Sequence, residues 1–255
     1  MNRLPRQAIR KVPEITALFW ITKLLTTAMG EATSDFLVFR INPYFAVSLG
    51  GVALLIALIL QFSVRKYIPW VYWLTVAMVA VFGTMAADVL HIQFGIPYIE
   101  TTIFFAIILI IVFIVWHKSE KTLSIHSIYT PRREMFYWAT VMATFALGTA
   151  AGDLTATTIG LGYFSSALLF SGVIIVPAVG YWLFRLNQIT AFWLAYILTR
   201  PIGASFADWT SKAHTVGGLA FGDGHVSFFL TAIIIVFVAY MSISKREVKR
   251  ERSRI

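Results

Sequence analysis

Three observations predict an all-α, polytopic membrane protein with about eight transmembrane helices built from four parallel two-helix repeats. Of the 255 residues, 58% are hydrophobic and only 13% charged, with a mean hydropathy of +0.77. That is more apolar than a water-soluble domain of this size needs for one core. Apolar runs of membrane-crossing length, roughly twenty residues each, recur along the chain. One motif also returns four times at a fixed spacing.

The first span, residues 13–38, follows the basic segment MNRLPRQAIRK and carries Lys23, Glu31 and Asp35. It lacks a small-residue cleavage site, so it reads as a retained helix rather than a signal peptide. Spans at 44–64 and 68–92 follow, the second of them carrying Asp88. The fourth, 98–116, contains IFFAIILIIVFIVW, almost without polar residues, as suits a lipid-facing helix. The polar connection HKSEKTLSIHSIYTPRR then separates a first half (1–122, repeats 1 and 2) from a second (123–255, repeats 3 and 4 and a basic tail). Both halves read as parts of one integral domain. The remaining spans are 134–158, with Asp153; 163–184; 189–211, with Arg200, Pro201 and Asp208; and 225–243.

The net charge of +9 is a topology signal. Of the 21 Lys and Arg residues, Arg40 and Lys212 fall on one side of these spans, and Lys23 and Arg200 fall inside them. All the others, including the tail KREVKRERSR, fall on the opposite side, which places both termini in the cytoplasm. The tail is expected to meet anionic lipid rather than nucleic acid. There is no cysteine, which excludes disulfides and thiolate sites, and no histidine pair at ligand spacing.

The repeat aligns FWITKLLTTAMGEATSD, YWLTVAMVAVFGTMAAD, YWATVMATFALGTAAGD and FWLAYILTRPIGASFAD. Each reads aromatic, Trp, nine residues, Gly, four residues, Asp. The tryptophans are Trp20, Trp73, Trp138 and Trp193; the glycines are Gly30, Gly83, Gly148 and Gly203; the aspartates are Asp35, Asp88, Asp153 and Asp208. All four fall in odd-numbered spans, so the copies are expected to be parallel, in a bundle of pseudo-twofold or pseudo-fourfold symmetry with the even helices outside. Fifteen residues at 1.5 Å rise put each Asp about 22 Å from its Trp, in the outer part of the membrane. The glycines, with small neighbours, are the expected helix-packing surface.

Carboxylates in a bilayer avoid lipid, and four at one depth repel unless protons or a cation neutralise them. Glu31 lies one turn inward of Asp35, and Thr27 and Lys23 continue that line by fours. Repeat four places Arg200 two turns inward of Asp208, beside Pro201, which interrupts the backbone hydrogen bonding. The expected activity is transport or export of a small cation, not enzymatic chemistry. The cation ligands are Glu31, Asp35, Asp88, Asp153 and Asp208, helped by Thr26, Thr27, Thr84 and Thr149, with Lys23 and Arg200 as countercharges. Oxygen donors suit Mg²⁺, Mn²⁺, Ca²⁺, a monovalent ion or protons; Met29 or Met85 as a softer ligand would favour Mn²⁺. A bound divalent cation is the one cofactor contemplated. In the alternative, a structural or scaffold protein, the aspartates end helices or cap the next element. His91 reads as an interface residue. The loop KAHTVGGLAFGDGH reads as a lid or re-entrant turn, with Asp223 and His225 as further ligands. Four repeats in one chain enclose a pathway without oligomerisation.

KVPEITALFWITKLLTTAMGEATSDF, SEKTLSIHSIYTPRREMFYW, FALGTAAGDL, and FWLAYILTRPIGASFADW followed by GGLAFGDG resemble a family of bacterial inner-membrane proteins catalogued as uncharacterised membrane-anchored proteins. The resemblance spans nearly the whole chain and implies a multi-pass location in a bacterial inner membrane. It implies no activity and no site residues.

Overall fold

The helices begin where the sequence supplies caps. Thr16, Asn42, Thr130 and Asn187 each accept a backbone N–H of the first turn through the side chain, and Pro43, Pro69 and Pro131 open their helices at the position where a missing N–H costs nothing. The computed structural model describes residues 10–252, with side chains as far as 244, so Arg3, Arg6 and the basic side chains of the tail lie outside the described residues. The helices are α1 (Ala17–Arg40), α2 (Pro43–Ser63), α3 (Pro69–Asp88), α4 (Tyr98–Glu120), α5 (Pro131–Asp153), α6 (Tyr163–Val173), α7 (Ile175–Leu183), α8 (Gln188–Ser211) and α9 (Asp223–Arg252). No strand occurs among the described residues.

The sixth apolar run is one crossing made of two helices, α6 and α7, divided at Ile174. Pro177, third in α7, has no N–H for the carbonyl of Val173, which accounts for the break. Five segments are long and apolar enough to cross a membrane: Pro43–Ser63, Pro69–Gln93, Tyr98–Glu120, Tyr163–Leu183 and Asp223–Ser244. The chain is therefore a membrane protein. Of equal length but more polar are α1, α5 and α8, of 24, 23 and 24 residues.

The repeat helices α1, α3, α5 and α8 form a closed ring in which each packs on the next and α8 returns to α1. The glycines set the spacing. A Cβ on Gly30 would strike Ala80, one on Gly83 would lie 2.7 Å from Cβ of Phe145, one on Gly148 would strike the Arg200 side chain, and one on Gly203 would strike Thr27. Ala80, Phe145, Arg200 and Thr27 each stand three residues before their own repeat's glycine. Four equivalent close contacts at the glycines thus run round the ring in one sense.

The outer helices follow an order that the sequence does not show. α2 packs chiefly on α3, α4 on α5, α6 with α7 on α8, and α9 on α1, so each outer helix leaves its own hairpin partner and leans on the next repeat. The hairpin is thus a unit of sequence and not of packing, and the two halves interlock: α4 of the first covers α5 of the second, and α9 of the second covers α1 of the first. Outward faces are apolar, as at Ile56, Ile110, Leu168, Val176 and Ile235. At the aromatic end, the N-terminal segment is tied across the halves. Lys11 pairs with the fully buried Glu134, which also accepts from Gln61 Nε2 at 2.7 Å, and the Lys11 N–H donates to the Ile128 carbonyl at 3.1 Å.

Candidate functional site

Reading each repeat helix by fours from the residue before its Trp gives the lining of the ring axis. The steps are Phe19, Lys23, Thr27, Glu31, Asp35 on α1; Tyr72, Val76, Ala80, Thr84, Asp88 on α3; Tyr137, Val141, Phe145, Thr149, Asp153 on α5; and Phe192, Tyr196, Arg200, Ala204, Asp208 on α8. All are buried except Asp35 and Asp88, which are half-buried. The axis therefore carries five layers of four side chains, from aromatic at one end to acidic at the other. Within a layer, large residues face small ones: Lys23 and Tyr196 share theirs with two valines, Phe145 and Arg200 with Thr27 and Ala80.

Arg200 organises the fourth layer. Its Nη2 donates to Glu31 Oε2 at 2.5 Å, to Thr149 Oγ1 at 2.6 Å and to Thr84 Oγ1, while Nη1 reaches the Thr27 carbonyl at 3.5 Å. Glu31, Thr84 and Thr149 all directly follow their repeat's glycine, so one guanidinium gathers the equivalent position of three repeats. Gly148 leaves the room in which the Arg200 stem lies. The Thr27 hydroxyl donates to the Leu24 carbonyl and to that of Thr199 on α8 at 3.3 Å.

The acidic layer opens beyond this pair. One carboxylate oxygen each from Glu31, Asp153 and Asp208 lies within 4.8 Å of the others. Asp88 lies within electrostatic reach of Glu31 and Asp35, and Asp153 within reach of Asp88 and Asp35. The countercharge here is Lys212, just past the end of α8. It pairs with Asp35, with Asp223 at 3.4 Å and with Asp208 at 3.8 Å. Asp88 and Asp153 form no ion pair within 4.0 Å among the described residues. After Asp88 and after Asp153 the helix continues as a single π turn, Val89–Gln93 and Leu154–Thr158, whereas α1 and α8 run on as regular helix past their aspartates. Wide turns of this kind re-aim side chains, and in α3 and α5 they stand next to the two aspartates that lack a cation.

Sequence reasoning found the carboxylates, Arg200 and Thr27, and the structure brings Glu31, Asp153 and Asp208 together as one cluster. Asp35 stands beside it as the partner of Lys212 and Asp88 as its electrostatic neighbour. Lys23 pairs with no carboxylate among the described residues: its Nζ has no hydrogen-bond partner there and lies over the rings of Phe145 and Tyr196, at 4.1 and 4.4 Å. The methionines also leave the axis. Met29 Sδ accepts from Thr33 Oγ1 at 3.2 Å, and Met85 packs against Gly50 of α2, away from the carboxylates. His91 donates from Nδ1 to the Ile96 carbonyl and stacks on Tyr98, and His225 donates from Nδ1 to the Phe221 carbonyl. Asp223 joins the site through Lys212. Lys212 and the axial tyrosines Tyr72, Tyr137 and Tyr196 escaped sequence reasoning. The four-residue step, followed to the aromatic end in all four repeats, finds the tyrosines.

With this geometry in hand, the chain compares as follows. A family described as "Repeat of Unknown Function (DUF347)" matches it four times, over residues 18–67, 71–122, 136–187 and 191–247, in register with the repeats described above. No curated protein and no solved structure matches the chain.

Proposed function

The chain belongs to the DUF347 repeat family, and we propose that it moves a small cation across a membrane, with the acidic layer as the binding site. The observation that carries this reading is the charge imbalance at that layer. Among the described residues, Glu31, Asp35, Asp208 and Asp223 form ion pairs with Arg200 and Lys212 alone, and Asp88 and Asp153 form none within 4.0 Å. Carboxylates crowded at one depth need protons or a cation to offset their repulsion. Oxygen-only donors favour Mg²⁺, Mn²⁺, Ca²⁺ or a monovalent ion.

In the arrangement we propose, eight spans cross a bacterial inner membrane as four parallel pairs with both termini in the cytoplasm. The distribution of basic residues between the spans and the common layer order in all four repeat helices support it. The acidic layer then faces outward and the aromatic layer inward. Arg200, Phe145, Lys23 and Tyr196 fill the axis between them, which favours a carrier that rearranges over an open pore. A cation bound at Glu31 competes with Arg200 for the same carboxylate, so its arrival loosens the bonds that hold three repeats together.

One observation favours a second, scaffold reading: the Glu31–Arg200 pair has several hydrogen bonds, as in a fixed polar core. Reconstitution separates the two. Proteoliposomes are expected to take up at least one of Mn²⁺, Mg²⁺, Ca²⁺, Na⁺ or H⁺, with Asp153→Asn and Asp88→Asn reducing the rate at least tenfold. Equal fluxes in wild type and both variants for every ion would reject transport. A loss of thermal stability in the same variants without any flux would favour the scaffold.

A further inference from the structure

Lys23 is the buried charged group that the acidic layer does not use. It is 1% exposed and its Nζ has no hydrogen-bond partner among the described residues. Two ring faces hold it instead, Phe145 at 4.1 Å and Tyr196 at 4.4 Å. Ring faces stabilise an ammonium ion only in part, and an unpaired charge at this depth is otherwise unfavourable. Packing does not explain the choice of lysine, because valines fill the same layer on α3 and α5. Its electrostatic neighbour is of like sign, the Arg200 guanidinium one layer outward. A cation entering the acidic layer adds further positive charge along the same axis, beside an ammonium that no carboxylate offsets.

From the helices packed on α1, the titratable and charged groups near this layer are Tyr196 and Arg200 of α8, Tyr137 of α5 and Tyr72 of α3. On α9, Asp223 pairs with Lys212, while His225 and Tyr240 are exposed; on α2, Tyr44 is exposed. No carboxylate of the described residues pairs with Lys23 within 4.0 Å. Beside it and inward of it lie three buried hydroxyls. Those of Tyr72 and Tyr137 bond each other at 2.5 Å, and Tyr196, in the layer of Lys23, interacts with Tyr137.

We propose that Lys23 is the proton-exchanging residue of the carrier. It holds a proton while the acidic layer is free of metal. When a cation arrives, the ammonium loses that proton, becomes a neutral amine, and the proton leaves past the hydroxyls of Tyr196, Tyr137 and Tyr72 towards the aromatic end. The inference rests on the transport reading above and adds the coupling to it: one proton displaced from Lys23 for each cation bound.

The test uses the purified full-length protein in weakly buffered detergent solution, with Mn²⁺ as the probe. Bound Mn²⁺ is counted by equilibrium dialysis, and released protons by an indicator dye. Wild type is expected to release about one proton more per bound Mn²⁺ than Lys23→Met at the same Mn²⁺ stoichiometry, since the carboxylates contribute equally to both. Lys23→Arg keeps the ring contacts but holds its proton at every accessible pH, so it should match Lys23→Met; it carries the comparison alone if the methionine variant does not fold. Equal proton release from wild type and Lys23→Arg, with Mn²⁺ bound to both, overturns the inference and leaves the transport reading standing. Absence of bound Mn²⁺ in the wild type overturns the inference and removes Mn²⁺ from the candidate ions, while the transport reading is judged by the flux assay over all of them.

Discussion

Replacing Arg200 with methionine keeps much of the side-chain volume but removes the partner of Glu31 and the donor to Thr84 and Thr149. Glu31 is then a buried carboxylate without a cation beside it. Removing one member of a buried ion pair costs about 3–5 kcal/mol. Glu31→Gln, which leaves the guanidinium with neutral acceptors only, should cost a similar amount. The double variant removes both charges and leaves an amide among hydroxyls, and replacing a whole buried pair is often nearly neutral. Its loss should therefore fall well short of the two single losses added together, with a coupling on the order of 2–3 kcal/mol. The measurement is equilibrium unfolding of the detergent-solubilised protein by SDS titration, followed by tryptophan fluorescence. At about 2–4 °C per kcal/mol for chains approaching this size, thermal melts should show the same ranking. If the double variant loses as much as the sum of the singles, Arg200 and Glu31 do not act on each other, and the account of the fourth layer is wrong.

Three further outcomes follow from the packing. Gly203→Ala sets a methyl against Thr27 and 2.9 Å from the backbone N of Ala28, so it should destabilise by about 1–3 kcal/mol in the same assay. Gly172→Ala, with nothing within 4 Å, should leave the unfolding midpoint unchanged or slightly raised. Lys11→Met strips the cation from the buried Glu134 and should cost about 3–5 kcal/mol, visible also as faster proteolysis of the N-terminal segment. His126, in the connection between α4 and α5, has its pKa lowered by burial and by Arg10 beside it. The unfolded state then binds more protons in the acid range, so stability should fall as pH drops through the ordinary histidine range. His126→Gln should show a shallower decline between pH 7.5 and 5.5.

The ring was legible because its chemistry is repeated. The Trp, Gly and Asp spacing marked the four helices that meet, and the step of four from Asp35 to Lys23 already traced one wall of the axis. What stayed hidden has physical reasons. The outer helices are apolar on every side, so no periodicity tells α2 that it belongs on α3 rather than on α1. Lys212 lies in a polar turn, where a basic residue ordinarily meets water, and only the return of the chain at Asp223 shows what it neutralises. Lys23 shared a stripe with two carboxylates, yet rings from α5 and α8 enclose it before any acid can reach it. The division of the sixth run at Ile174 was announced by Pro177, whose effect on an otherwise continuous apolar run the hydropathy could not register.

The placement of each outer helix on the next repeat bears on how such a chain could have grown. A chain of two repeats, cut out of this one, leaves its first helix bare and its fourth without the helix it covers. Two such chains restore every contact only by exchange, each laying its last helix on the first helix of its twin. Duplication and fusion would then have joined partners that were already entwined, turning a swapped dimer into one polypeptide. Co-expressed fragments 1–122 and 123–255 are the modern counterpart of that pair, complete together and each missing a wall alone.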